Sequence, residues 1–502
     1  MPGFAISRLN STAMLRRLLV LGSLLSTVAL AASCSSKTGE SHVGGDEPGT
    51  AAAPSGGGSA SVGSNPGTGS TLNLGGDLNP GATMKGPCTG LECAVQACAG
   101  GVTTTISGKV YDPAGKLPLY NVAVYVPNAP VAPFKDGASC DRCDASILNP
   151  VTSAISDEAG SFVLADAPVG ANIPLVIQVG KWRRQVTIPV VNGCVDNPLD
   201  KELTRLPRNK AEGDLPHIAI SAGGGDQMEC LPLRMGVDPA EFTTADGDGH
   251  IHLFAGDAGS YPPLASFDAA HNGGAALTPS STGLWASTDT LKKYDIVILS
   301  CEAGENAPNK TTAMRQAMYD YASLGGRVFA SHLHSVWFAG GPAPLPTTGT
   351  WRRVQQNPPD PSTATINTSF PKGAALAQWL VNVQASTMLG QVSVSFPRND
   401  IQAVNTMVAT EWLTVPDPGA VQYMSFNTPI GAAEDKICGR EVFTDLHVAS
   451  VDVNSLPALN ANGFPASCEM RELSAQEKIV AFMLFDLSAC VQREDKPIKP
   501  PK

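Results

Sequence analysis

The chain has 502 residues, of which 16% are charged, and its formal net charge is −11. That length is enough for two or three domains, each with a core of its own. The net charge is acidic, and the sequence contains no run of basic residues. Proteins that bind nucleic acids usually have such a basic cluster, so we expect no nucleic-acid partner.

The first 33 residues have the pattern of an export signal. Two arginines precede an apolar run over residues 18–32, which is too short to favour a membrane span. The stretch Leu30-Ala-Ala-Ser-Cys34 resembles the lipobox of bacterial lipoproteins, whose cysteine is lipidated and becomes the new N-terminus. The resemblance implies a signal peptide over 1–33 and a lipid anchor to the membrane at Cys34. Because Ser35 follows the cysteine, it also implies the outer membrane, on either face. A plainly secreted protein is the alternative.

Residues 34–87 are dominated by Gly, Ser, Pro, Thr and Ala. Such a segment cannot bury enough apolar surface to offset the entropy lost on ordering. We expect a disordered tether that reaches roughly 40 Å from its anchor.

The sequence contains twelve cysteines, and an exported location permits disulfides. If Cys34 is lipidated an odd number remains, and Cys301, at the end of an apolar strand, is the candidate for the unpaired thiol. The pair Cys140-Asp-Arg-Cys143 predicts a disulfide that closes its own loop, with a zinc site or a redox pair as the alternatives. Two of the last three cysteines are expected to pair. The disulfide candidates are Cys88, Cys93 and Cys98 in the Cys-rich segment 88–101, then Cys140, Cys143, Cys438, Cys468 and Cys490.

Residues 102–195 alternate apolar and polar side chains with period two, and turn residues separate the runs. This pattern predicts a β-sandwich of about seven strands. Three stretches, Gly108 to Gly115, Pro118 to Val122 and Ser156 to Phe162, resemble the carboxypeptidase regulatory-like (transthyretin-like, or prealbumin-like) domain family. The resemblance implies a non-catalytic module for scaffolding, adhesion or carbohydrate contact. Trp182-Arg-Arg184 marks a hairpin end that we expect to be solvated, with a grip on a glycan as the alternative.

The second predicted domain covers residues 215–491 and begins with an apolar strand and the loop Ala222-Gly-Gly-Gly-Asp226. The loop lacks the known phosphate-binding motifs, so we interpret its glycines as allowing a turn with positive φ. Asp246-Gly-Asp-Gly-His-Ile-His252 predicts a hairpin. Its histidines have no obvious carboxylate partner, so we expect no metal site.

Repeated strand–helix units predict an open parallel sheet of the α/β, flavodoxin-like kind. Strands are expected over 295–300, 328–330, 391–396, 422–426 and 440–447, and helices over 310–324 and 374–384. A Pro- and Thr-rich insertion occupies 340–371. Ser474 and Glu477 form the capping box of a final helix, and 492–502 is predicted to be a flexible tail.

Cys301 and His332 each follow a predicted strand, and the carboxyl ends of parallel strands line one crevice. Tyr294 to Cys301, Tyr321 to Phe329 and Val442 to His447 resemble class I glutamine amidotransferase-like and trehalose-utilisation (ThuA-like) domains.

The resemblance implies that Cys301 is a nucleophile helped by a histidine, for which His332 and His447 are the candidates. In a hydrolase of this kind, Glu302 or Glu305 is expected to orient the base. However, Leu299 and Ala303 stand where the family has glycines beside the nucleophile, and Val448 and Ala449 replace its His-x-Glu pair.

These departures favour a cell-envelope lipoprotein that acts as a binding or structural module without catalysis. The expected partners are the membrane, through Cys34, and cell-wall or extracellular carbohydrate. No cofactor and no metal are expected. The alternative is an exported Cys-dependent hydrolase or a sugar-processing enzyme of the ThuA-like kind.

Overall fold

The computed structural model describes residues 88–143, 149–352, 356–447 and 456–499. They all belong to one compact unit, Thr83–Lys502. The predicted signal peptide, Cys34 and the tether 34–87 lie outside the described residues, as does the end of the tail. Within the described ranges, no helix is both long enough and apolar enough to cross a membrane.

The first part of the unit consists of short strands in two small sheets. The strands are β1 Thr105–Lys109, β2 Ala123–Pro127, β3 Pro150–Ile155, β4 Ser161–Leu164, β5 Gly170–Val179, β6 Trp182–Val191 and β7 Asp196–Pro198. One sheet has the order β4-β1-β7 and the other β3-β2-β5-β6. The period-two pattern is visible in β4, where Phe162 and Leu164 are buried and Val163 between them is 58% exposed. Inward side chains of both sheets share one hydrophobic core.

The second part alternates strands with mostly short helices. Up to residue 339 the elements are α1 Lys201–Thr204, β8 Ile218–Ala222, α2 Cys230–Arg234, β9 Phe242–Thr243, β10 Ile251–Ala255, α3 Ser280–Gly283, α4 Thr288–Leu291, β11 Ile296–Leu299, α5 Thr312–Ser323, β12 Arg327–Ser331 and α6 Val336–Ala339. After it they are β13 Gly349–Trp351, β14 Ser362–Ile366, α7 Pro371–Asn382, β15 Gln391–Val394, β16 Ile401–Val404, β17 Thr410–Val415, β18 Ala420–Thr428, β19 Gly439–Thr444, α8 Leu456–Asn460 and α9 Ala475–Ser488.

Ten of these strands form one mixed sheet with the order β15-β14-β17-β18-β19-β12-β11-β8-β10-β9. Within the sheet, β19, β12, β11, β8, β10 and β9 run parallel to one another. On the other side of β19, the strands β18, β17, β14 and β15 each pair antiparallel with the neighbouring strand on the side of β19. The prediction of an open parallel sheet therefore holds for only part of it. The short connection 416–419 explains the difference at β17 and β18, because a tight turn joins antiparallel strands and a parallel pair needs a long crossover.

Two local predictions fail in this region. The stretch 340–371 is not a simple insertion, since it supplies β13 and also β14 of the large sheet. The predicted hairpin at Asp246 is wrong, because β9 and β10 run parallel. The carboxylate of Glu241 accepts the backbone N–H of His250 at 3.1 Å and folds the connecting loop back on itself.

The last helix, α9, begins as its sequence predicts. The hydroxyl of Ser474 accepts the backbone N–H of Glu477, and the Glu477 carboxylate accepts the N–H of Ser474 at 2.8 Å. The capping box is thus confirmed. Most of the helix is buried against the sheet and the first part of the unit.

Disulfides join the two parts of the unit covalently. Cys140 bonds Cys438 and Cys143 bonds Cys490, so the prediction that the two cysteines of this loop pair with each other is wrong. The loop instead lies along the end of the chain, where the N–H of Cys143 donates to the carbonyl of Val491 at 3.3 Å.

The remaining disulfides also differ in part from expectation. No two of the last three cysteines pair with each other, because Cys468 bonds Cys230 and the other two bond the loop cysteines. Near the start of the unit the bonds are Cys88–Cys93 and Cys98–Cys194. Among the described cysteines, Cys301 alone is free, and it is buried.

Side chains expected in solvent are buried at the junction of the two parts. Trp182 is 3% exposed and packs edge-on against Phe485 of α9, with ring centroids 6.2 Å apart. Its neighbour Arg183 is also buried and donates to the carboxylate of Asp214 at 2.8 Å. The hairpin end is therefore an internal contact. The predicted tail is likewise held at its start, because buried Glu494 lies 3.0 Å from the ammonium of Lys372.

Candidate functional site

Three neighbouring parallel strands place the candidate side chains at one edge of the sheet. Cys301 follows β11, His332 follows β12 and His447 follows β19. The three strands are adjacent in the sheet order. Because parallel strands end at the same edge, all three side chains converge there.

The thiol of Cys301 is in direct contact with His332. Its Sγ lies 3.3 Å from His332 Nδ1, and the backbone N–H of Ala303 points at the same sulfur from 3.4 Å. The rings of His332 and His447 meet edge-on with centroids 4.7 Å apart.

Two residues of this group have a strained backbone. His332 has φ +44° and Ala303 has φ +55°, in the left-handed region that side chains other than glycine rarely adopt. Such strain persists only where the surroundings impose it, and it often marks a functional constraint. Cys301 itself does not have positive φ, so the strained elbow of the amidotransferase-like nucleophile is not formed.

Two aspartates lie behind His332. Asp400 Oδ2 is 3.5 Å from His332 Nε2, and the backbone N–H of Asp400 donates to the carboxylate of Asp445 at 2.5 Å. Burial, and next the charge of Asp400, raise the pKa of Asp445 well above its usual value. The two carboxyl groups therefore favour holding a proton between them.

No sequence motif marks these two aspartates as site residues. Asp445 lies in the stretch Val442 to His447, and its position just past a strand is the one signal that could have indicated it. Asp400 precedes the two-stranded pairing of β16 with β13, outside the parallel strands, and no motif surrounds it.

Glu302 does not orient His332, so that prediction is wrong. Its Oε2 accepts hydrogen bonds from the ammonium of Lys310 at 2.6 Å and the side chain of Asn306 at 2.9 Å. Both Glu302 and Lys310 are fully buried. The carboxylate of Glu302 is therefore part of an internal ion pair. The other candidate for orienting the base, Glu305, is exposed.

His334 is a hydrogen-bonded core histidine. Its Nε2 lies 2.8 Å from the carbonyl of Ser300, and its Nδ1 accepts the indole N–H of Trp337 at 3.0 Å. Both ring nitrogens are occupied, which fixes the ring and leaves no free nitrogen for chemistry.

The backbone of the glycine loop after β8 packs against the backbone of Cys301. A Cβ on Gly223 would lie 2.1 Å from the carbonyl oxygen of Cys301, and the N–H of Gly225 donates to that oxygen at 2.8 Å. None of Gly223, Gly224 and Gly225 has positive φ. The expectation of a positive-φ turn is therefore wrong, and the glycines are needed for close approach of two backbones.

Burial keeps the side chains of this site uncharged. It raises the pKa of Cys301 to about 12 and lowers the pKa of His447 to about 3. It also lowers the pKa of His332 well below its usual value, and the neighbouring His447 adds to the effect. In the folded chain the thiol–imidazole pair is neutral at neutral pH.

The same donors have the spacing of a metal-binding group. One donor atom from each of Cys301, His332 and His447 lies within 4.8 Å of the others, and the same holds for His332, Asp400 and Asp445.

A cleft lies at the opposite edge of the sheet, where the parallel strands begin. This amino-edge cleft has a volume of about 860 Å³, and among its lining residues are Asp136, His217, Asp246, His252, Lys293 and Tyr294. His217 immediately precedes β8 and Tyr294 lies just before β11. Asp136 comes from the first part of the unit, so both parts build the cleft.

Histidines cluster along the amino-edge cleft. The rings of His217 and His250 are 4.6 Å apart, and Glu241 Oε2 lies 2.9 Å from His250 Nδ1. The sequence had shown no carboxylate for these histidines, because Glu241 belongs to a different turn. His252 Nδ1 lies 2.9 Å from the hydroxyl of Tyr294, and the ring is buried.

Comparisons with known proteins leave the family open. No family model matches the chain, and no curated protein matches it either. A ThuA-like protein from Bacteroides uniformis is similar in structure at 12% identity, with a TM-score of 0.25 over 50% of this chain and 89% of that one. A cytoplasmic protein from Salmonella typhimurium gives 12% identity and a TM-score of 0.23 over 38% and 79%.

A cohesin–X-dockerin complex from Acetivibrio cellulolyticus gives 15% identity and a TM-score of 0.15, over 29% of this chain and 78% of that one. These likenesses are too weak to carry a functional argument.

Proposed function

We propose that the protein is a lipid-anchored binding module of the cell envelope that takes a neutral polar ligand, of the saccharide class, in its amino-edge cleft. The observation that carries the proposal is the cleft itself. A volume of about 860 Å³ is in the range of small-ligand sites, and most such sites combine an apolar wall with a few polar groups.

The lining of the cleft is electrically balanced. Asp136 and Asp246 are matched by Lys292 and Lys293. Burial lowers the pKa of both His217 and His252, so these rings are neutral at neutral pH. A balanced set of donors and acceptors favours a ligand that is polar and uncharged.

A Cys-dependent hydrolase is the second candidate, and the 3.3 Å contact between Cys301 and His332 favours it. Two observations oppose it. Cys301 is fully buried, so a substrate has no path to the sulfur. The thiolate is the nucleophilic form, and a thiol whose pKa is raised to about 12 supplies almost none of it at neutral pH.

The envelope location rests on the lipobox resemblance at Cys34, and mass spectrometry of the mature N-terminus tests it. A diacylglyceryl adduct on Cys34 is the expected result. An unmodified N-terminus beyond residue 34 contradicts the anchor and leaves the binding proposal to its own test.

The binding proposal is tested with soluble chain from residue 83 onward, the compact unit, mixed with insoluble peptidoglycan and with soluble oligosaccharides. We expect binding that Asp246→Asn weakens, because Asp246 lines the cleft. Asp248→Asn is the matched control, since Asp248 is exposed and its carboxylate pairs with Lys210 at 2.6 Å. No binding to any of these polymers, or equal binding by both variants, contradicts the proposal.

Thiol labelling near neutral pH separates the two candidates. In the folded protein we expect Cys301 to resist iodoacetamide, and to react only after denaturation without reductant. Rapid labelling of the folded chain, with a midpoint below pH 8, is the result that favours the hydrolase.

A further inference from the structure

We propose that Cys301, His332 and His447 form a buried binding site for one zinc ion. The site lies at the carboxyl edge of the parallel strands and is separate from the amino-edge cleft. A thiolate with two imidazoles is a donor set that zinc favours among the metals available to proteins.

The spacing of the donor atoms suits this ion. Zinc bonds of about 2.3 Å to sulfur and about 2.0 Å to nitrogen, at tetrahedral angles, place the two donors roughly 3.5 Å apart. Cys301 Sγ and His332 Nδ1 are 3.3 Å apart. The donor atoms of all three residues lie within 4.8 Å of one another, so the widest separation has to shorten by at most about 1.3 Å to close the set around an ion.

His447 supplies an independent observation. Its ring is 8% exposed, and its Nδ1 is buried with no hydrogen-bond partner among the described residues. A buried polar atom without a partner costs about 1–3 kcal/mol. The ring nevertheless stands against His332, at a centroid distance of 4.7 Å, where a metal ion would satisfy one of its nitrogens.

The surroundings of His332 and Cys301 match those of metal ligands. A metal-bound histidine usually presents its second ring nitrogen to a carboxylate, and His332 Nε2 lies 3.5 Å from Asp400 Oδ2. The sulfur of Cys301 also accepts the backbone N–H of Ala303 at 3.4 Å, which holds the sulfur in place beside His332. Donor set and supporting contacts are therefore both present.

The group His332, Asp400 and Asp445 offers a second, harder set of donors that shares one histidine. Carboxylates attract magnesium, calcium or manganese more than thiophilic ions. The proposal assigns these aspartates the role of positioning residues behind His332. A cation that binds without need of the thiol would therefore contradict it.

The test uses the full chain with Cys34→Ser, so that the residue proposed to carry the lipid contributes no sulfur to the measurement. After dialysis against zinc and then against metal-free buffer, we expect about one zinc per chain by elemental analysis. Loading with Co²⁺ should give a near-ultraviolet sulfur-to-metal charge-transfer band together with visible bands of tetrahedral cobalt. This band reports Cys301 directly in the unaltered site and does not depend on whether a site variant folds.

Variants then assign the ligands. Cys301→Ser and His447→Gln should each lower the affinity for zinc by roughly tenfold or more, as the loss of a ligand or its support does in other sites. The matched control is His271→Gln, a partly exposed histidine on a distant loop, and it should bind as the parent does. Zinc binding by Cys301→Ser with the affinity of the parent, or cobalt bound with no charge-transfer band, overturns the proposal, as does failure of the parent chain to retain zinc. None of these readouts involves saccharide binding.

Discussion

The ammonium of Lys181 lies 2.6 Å from the carboxylate of Asp295, where the first part of the unit meets the large sheet. Lys181 directly precedes β6, and Asp295 directly precedes β11. Both side chains are at most 10% exposed, and the ammonium also donates to the carbonyls of Lys135 and Gly137. A single buried cation thus ties three segments together.

Removing this cation should destabilise the fold strongly. We expect Lys181→Met to lower the free energy of unfolding by about 3–5 kcal/mol, because Asp295 is left buried without its partner. Denaturant unfolding measures the loss. Lys116→Ala is the control, since its pair with Glu472 also joins the two parts but is exposed, and should cost at most about 1 kcal/mol. Equal losses in both variants would contradict the assignment.

Glu441 should make the protein less stable as the pH rises. Burial raises the pKa of this carboxyl from 4.5 to about 8, so the folded chain binds its proton more tightly than the unfolded chain does. The contribution to stability is complete below about pH 4.5 and falls by about 1.4 kcal/mol per pH unit up to about pH 8.

Thermal unfolding of Glu441→Gln tests this dependence. The variant should match the parent near pH 4 and exceed its melting temperature at pH 8, because the amide needs no proton to stay neutral. Glu305→Gln, at an exposed position, should follow the parent at every pH. A difference between Glu441→Gln and parent that does not change with pH would refute the explanation.

Each of the two disulfides that cross the junction should compensate for the loss of the other in the stability of the fold. Cys140–Cys438 and Cys143–Cys490 close nearly the same long loop, so either one alone retains most of the entropic constraint on the unfolded chain. We expect each paired Cys→Ser variant to lose little stability, and the variant lacking both bonds to lose more than the sum, in the range of about 2–5 kcal/mol. Additive losses would contradict this redundancy.

The capping box of α9 gives a smaller, local prediction. Ser474→Ala should lower the free energy of unfolding by about 1 kcal/mol, because the N–H of Glu477 loses its acceptor. Ser474→Asp keeps an acceptor at the same place and should stay near the parent stability. A loss of stability in the aspartate variant as large as that in the alanine variant would show that the hydrogen bond to the cap does not stabilise the helix.

Local patterns predicted the elements that local chemistry determines. Ser474 and Glu477 place the start of α9 without help from the rest of the chain, and Gly325, with φ +121°, ends α5 where a side chain would be strained. The antiparallel strands of the large sheet depend instead on which segments meet in space. Their run lengths and apolar content do not distinguish a parallel from an antiparallel neighbour.

The candidate site divides in the same way. Cys301, His332 and His447 were predictable because each lies within three residues of a strand end, and the ends of parallel strands converge. Asp400 reaches His332 from a segment that precedes β16, and no periodicity encodes that approach. Glu302 illustrates the opposite error, because closeness in sequence to Cys301 suggested that it orients the base, whereas in the folded chain its carboxylate pairs with Lys310.

The covalent bonds between the two parts also determine what a protease can release. A single cut in the connection between β7 and β8 would leave both fragments in one molecule, held by Cys140–Cys438 and Cys143–Cys490. If the proposed anchor at Cys34 holds the first part to the membrane, the nicked protein keeps its cleft and its carboxyl-edge site in the cell envelope. Shedding the body from the envelope would then require a reductant as well as a cut there.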